Sequence, residues 1–207
     1  MKKLLFAVLG TMLFASCAFG QTINITPTGI GTIKIGMNIN KLPKSVENLY
    51  DRIEVVTTPE SYNEMDDETI PAYDTYYFML GSEKMFHTVP LENGTIDYLV
   101  ATSKKLSYKG IYPGMSCREL IASNKAKLVV SGYYGSCEFF CNFAVTDPNI
   151  EIYFPINNGG SFSKQGQDKL LNDIATDSGN RELKLGAADF LEDAKITEIQ
   201  IREVWLL

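Results

Sequence analysis

The chain has 207 residues, 45% of them hydrophobic, and a formal net charge of −6. That sign argues against the basic surface that counterion release on nucleic acid requires, and against docking on anionic membranes. With one histidine and four cysteines, it also offers few ligands for a soft-metal site.

The first stretch reads as a targeting segment, residues 1–20. Lys2 and Lys3 form a basic start, and Leu4 to Phe14 form an apolar run too short for an ordinary membrane-spanning helix. Two processing routes fit. Ala18-Phe19-Gly20 has small residues at the −3 and −1 positions, so signal peptidase would leave Gln21 first. Phe14-Ala15-Ser16-Cys17 instead resembles a lipoprotein box, with Cys17 carrying the lipid, but has Phe14 where that motif usually has leucine, which favours cleavage after Gly20. Either route predicts an envelope location: periplasmic or secreted, or anchored to the outer membrane through Cys17. Removing both lysines leaves 19 − 2 = 17 Lys and Arg against 25 acids, a net charge of −8.

Residues 21–28 form a polar, β-prone arm. Beyond it two segments match. TIKIGMNINKL (32–42) and GIYPGMSCREL (110–120) align Gly36 with Gly114, Ile33 with Ile111, Met37 with Met115 and Leu42 with Leu120. Each reads as a strand, a glycine turn, a buried methionine and a helix start. The spacing predicts repeat 1 over 29–106 and repeat 2 over 107–207. In the first copy Pro43 falls where a helix started at Asn38 would break, so the helix starts at Pro43 or splits into two short turns ending near Tyr50.

Arg52 to Thr57 reads as a strand, and 59–71 as an acidic loop without the oxygen spacing of an EF-hand. Asp74 to Leu80 is strand-like. Asn93-Gly94 marks a two-residue hairpin before a strand from Thr95 to about Ser103. In the second copy Ser116 and Glu119 form a capping box for a helix to about Lys125. Strands follow over 128–134, 137–145 and 150–156. A helical excursion (157–192) holds a helix at 164–175 with Leu170, Leu171 and Ile174 inward, and a last strand covers 196–204. The expected fold class is α+β: two tandem repeats, each a helix plus an antiparallel meander, forming one curved sheet with helices on one face.

The twice-used Gly-Met-Asn/Ser start resembles the β-lactamase-inhibitor-protein superfamily and the small barrel-assembly lipoproteins. The resemblance rests on Gly36-Met37-Asn38 and Gly114-Met115-Ser116 and covers 29–207 by layout. It implies a non-enzymatic exported binder whose repeats lie side by side. The export signal with Gly20-Gln21 is similar to those of uncharacterised secreted proteins from Bacteroides-type gut bacteria.

Catalytic signals are weak. His87 has no partner visible in sequence. Ser161-Phe162-Ser163-Lys164 fits a Ser-x-x-Lys pattern but lacks companion motifs. Cys137 and Cys141 lie too far apart along one strand to bond, so any disulfide would use Cys117. No cofactor or metal is expected. Strand alternation places Tyr77, Tyr98, Phe140, Tyr153 and Arg202 on the sheet face away from the helices, together with Glu138, Asn142, Glu151, Glu198, Gln200, Val100 and Thr102. Aromatics with polar tips are enriched at binding surfaces. The expectation is a binding module for a protein or glycan partner in the envelope, touching membrane only if lipidated at Cys17. The alternatives are a secreted hydrolase using acidic residues and a structural envelope lipoprotein.

Overall fold

A computed structural model describes residues 22–63, 68–132, 139–156, 160–176 and 179–203. The strands in chain order are β1 (Ile23–Thr26), β2 (Gly29–Ile30), β3 (Ile33–Lys34), β4 (Arg52–Thr58), β5 (Ser61–Asn63), β6 (Glu68–Ile70), β7 (Tyr73–Leu80) and β8 (Glu83–Thr88). They continue as β9 (Tyr98–Ala101), β10 (Leu106–Ser107), β11 (Lys127–Gly132), β12 (Phe139–Ala144), β13 (Ile150–Tyr153), β14 (Gly179–Glu182) and β15 (Glu198–Arg202). The α-helices among the described residues are α1 (Cys117–Ala122) and α2 (Lys164–Thr176).

Nine strands form one antiparallel sheet in the order β14-β11-β12-β13-β15-β9-β8-β7-β4. A small sheet, β10-β1-β2-β3, joins β1 to β10 in parallel. The expected α+β class of helix-plus-meander repeats is therefore overturned: the protein is mostly β. Among the described residues no α-helix precedes β4. Asn38 does cap, its side chain accepting the Asn40 N–H at 3.0 Å. What it starts is a three-residue 3-10 turn, Ile39–Lys41. Pro43 can donate no helical bond, and Asn48 sits at φ 62, the left-handed region through which no right-handed helix passes.

The capping box of α1 is also absent. Ser116 makes no side-chain cap bond; its backbone bridges Lys195 instead, and the Cys117 N–H donates to the Ala194 carbonyl at 3.0 Å. The helix stops after six residues, and Asn124 turns left-handed at φ 54.

The two Gly-Met segments nonetheless hold matching hydrogen bonds. Gly36 N–H donates to Ile96 O at 2.7 Å, and Gly114 N–H to Ile196 O at 2.8 Å. Ile96 N–H returns to Met37 O, as Ile196 N–H does to Met115 O. Both glycines are left-handed, at φ 86 and φ 94, a turn that a side chain would strain. The methionines do not match as expected. Met115 is 4% exposed and in the core, but Met37 is 38% exposed, with its sulfur accepting the Lys34 N–H.

At mid-sheet β9 pairs with β15, and Val100 lies opposite Gln200, its counterpart 100 residues on. Large side chains fill the buried side of the sheet at both ends. Tyr50, Phe78 and Phe86 pack together at one, with Phe78 and Phe86 stacked at 4.2 Å. Phe143, Phe154, Phe162 and Phe190 pack together at the other. Helix α2 adds Leu170 and Ile174, four apart on one stripe. Leu171, expected inward, is 60% exposed because it lies about 100° around the helix from Leu170.

Cys117 and Cys141 are buried free thiols, so Cys117 makes no disulfide; Cys137 lies outside the described residues. Burial pushes both thiols up to about 12. Since the thiolate is the nucleophile, both should resist iodoacetamide at about pH 8 in native buffer and react once unfolded. Mass spectrometry reads this directly; rapid native labelling of either would contradict the burial.

Candidate binding face

The register lays one row of residues straight across the sheet on the face opposite the aromatic core. From β4 it runs Glu54, Tyr77, His87, Val100, Gln200, Glu151, Ala144 and Lys127, each backbone opposite the next. Tyr98 lies opposite Arg202 on one side of this row, and Tyr153 opposite Glu198 on the other. Because side chains alternate along a strand, Tyr77, Tyr98, Tyr153 and Arg202 share this face. Phe140 pairs through its backbone with Ser131, at the register parity of Asn142 and Ala144. Glu138 lies outside the described residues. The face is not uniformly open: Val100, at its centre, is 5% exposed.

Polar contacts hold the tyrosines in place. Tyr153 donates its hydroxyl to Glu151 Oε2 at 2.5 Å, and Arg202 donates to Glu151 Oε1 at 2.6 Å. Burial, then the Glu151 hydrogen bond, raises the Tyr153 hydroxyl above its ordinary value. At the other end Lys84 Nζ stands 4.0 Å from the centre of the Tyr77 ring, which lies 5.4 Å from His87. Burial, then the Lys84 charge, lowers the His87 pKa, so the imidazole is neutral at pH 7. Tyr98, also raised chiefly by burial, has its strand tied to β8 by Thr88 Oγ1 donating to the Tyr98 carbonyl at 2.6 Å. Sequence reasoning placed the tyrosines but missed His87 and Lys84 on this face. A regular period across β8 would misplace Lys84, because a bulge shifts the β7–β8 register between Phe78 and Met79.

Glu198 differs from Glu151. Burial raises its pKa, and no cation or donor among the described residues offsets this. A raised folded-state pKa stabilises the protein below the unfolded value and is a liability above it. Glu198→Gln should therefore raise the melting temperature at pH 7, with the gain shrinking as pH falls toward about 4. Thermal scans across that range check this; a loss at pH 7 would mean that Glu198 has a stabilising partner.

Ser161 is 1% exposed and donates its hydroxyl to the Pro155 carbonyl, while Lys164 is exposed, so the Ser-x-x-Lys pattern presents no accessible nucleophile. Among the described residues no group of three or more His, Cys, Asp or Glu could hold a metal ion. No helix among them is long and apolar enough to cross a membrane.

No family model and no curated protein matches the chain. Among solved structures, the uncharacterized protein yfeY from Escherichia coli is similar in outline. It has 11% sequence identity and a TM-score of 0.44, covering 88% of this chain and 99% of that one.

Proposed function

We propose that the protein is a non-enzymatic binding module, exported to the periplasm or secreted, that recognises a protein or glycan partner of the cell envelope through the tyrosine-bearing sheet face. The observation that carries this reading is the pre-set arrangement of Tyr77 in the central row with Tyr98 and Tyr153 on either side of it. Tyr153 is fixed by Glu151, which Arg202 holds in turn, and Tyr77 by Lys84. Rigid aromatics lose little rotamer freedom on binding, and their polar tips can bond a wet partner. Glu198, half-buried and without a counter-charge, supplies an acceptor for a donor-rich group such as sugar hydroxyls or a basic side chain. The basic start and apolar run of residues 1–20 support export, and Cys17 gives the route to a membrane-anchored form.

The experiment is capture of partners from an envelope extract on the immobilised protein, beside the double variant Tyr98→Ser and Tyr153→Ser. The reading expects the variant to lose at least about tenfold in binding while its melting temperature changes little, as for hot-spot aromatics. Equal capture by both proteins removes the face from recognition. Unfolding of the variant would make these tyrosines structural.

A further inference from the structure

The two edges of the large sheet are built differently. At one, β14 is four residues long, and its Arg181 is held by Asp173 of α2 at 2.7 Å, so the edge is short and tied to a helix. At the other, β4 runs seven residues, pairs with β7 on its inner side and has no ladder partner on its outer side among the described residues. Edge strands are normally guarded by lysine, proline, a bulge or a covering element. RIEVVTT contains no lysine or proline, and its register with β7 is unbroken. Val55 is 50% exposed and Val56 51%; adjacent residues point to opposite faces, so each face of the edge carries an exposed valine, Val56 beside Arg52 and Glu54, whose charges pair with each other at 2.7 Å.

We propose that the outer edge of β4 is a homodimer interface, in which a second copy of this chain adds its own β4 antiparallel to form one continuous sheet. One symmetric register of the strand against itself uses its whole length. Centring the pair on Val55 places Val55 opposite Val55 of the copy, Ile53 opposite Thr57, Glu54 opposite Val56 and Arg52 opposite Thr58. All seven residues are used, and no like charges meet. Moving the centre to Glu54 would set two carboxylates face to face. The chain already joins its own halves this way, since β9 and β15 pair antiparallel with Val100 opposite its counterpart Gln200. With β14 blunted, one edge of the large sheet is open among the described residues, so the pairing is two-fold and closes at a dimer instead of growing into a fibre. The interface lies at the sheet's end and goes beyond the proposed partner-binding face.

The test is sedimentation velocity on the protein purified after export, over a concentration series, with Val55→Lys and Val55→Glu variants. Circular dichroism checks that both half-exposed substitutions keep the fold. The wild type should show a concentration-dependent dimer. Each variant should run as a monomer, because the register sets two like charges opposite each other. Mixing the two variants should restore a heterodimer, since residue 55 then meets its opposite charge. A wild type that stays monomeric throughout the series overturns the proposal. So does a dimer that survives either variant, or a mixture that stays monomeric.

Discussion

Gly166→Ala should unfold the second half of the protein well below the melting temperature of the wild type. A Cβ at Gly166 would stand 2.1 Å from the Asp189 carbonyl oxygen and 3.0 Å from its carbon, both backbone atoms. Neither can swing aside as a side-chain tip would. Asp189 is fixed from three sides. Its carboxylate accepts from Lys169 at 2.7 Å and from the Gly186 N–H at 2.8 Å, and its carbonyl accepts the Ser163 N–H at 2.9 Å. Helix α2 would have to lift away, pulling Leu170 and Ile174 from the core. Overpacking against an immobile wall lies at the upper end of its usual range, about 3 kcal/mol. Chemical denaturation of the variant reads this; a stability within about 0.5 kcal/mol of wild type would show that α2 does not sit against residue 189.

Phe190→Ala should be comparably severe. Phe190 is fully buried, with ring centroids 5.2 Å from Phe162, 5.7 Å from Phe143 and 5.9 Å from Phe154. It is the ring through which the 3-10 turn at Ala187–Asp189 grips the sheet, and Arg118 of α1 donates to its carbonyl at 2.9 Å. Truncation leaves a cavity among the three neighbouring rings, with an expected loss of about 3–5 kcal/mol. That corresponds to a fall in melting temperature on the order of 10 °C for a chain of this size. A fall of under about 2 °C would place Phe190 outside the core.

Much of the strand order was legible because its signals are local. Period-two alternation marked Cys141, Phe143, Ile150, Ile152, Ile199 and Ile201 as inward, and all six are buried. The same alternation put Tyr77, Tyr98, Tyr153 and Arg202 on one face. The fold class misled because a Gly-Met turn followed by a cap residue looks like a helix start whatever follows it. In the first copy Pro43 and the left-handed Asn48 leave only a 3-10 turn, and in the second the helix ends within six residues. Tertiary bonds decide the rest. Ser116 could cap locally, but its backbone pairs with Lys195, 79 residues away. Met37 and Met115 share a sequence motif yet differ tenfold in exposure, since burial depends on what lies over each copy and not on the motif. Lys84 was out of reach because the bulge in β7–β8 breaks the period that would have placed it, and His87 because the sequence reading assigned no strand over 83–88.

The most direct measurement of the binding-face account is hydroxyl-radical footprinting of the protein alone and in complex with its captured partner. Tyr77, Tyr98 and Tyr153 are partly exposed, so each is labelled in the free protein. The account predicts that all three lose labelling in the complex, while Tyr112, half-buried and packed against the core, keeps it. Unchanged labelling of the three tyrosines, with protection appearing elsewhere, would contradict it.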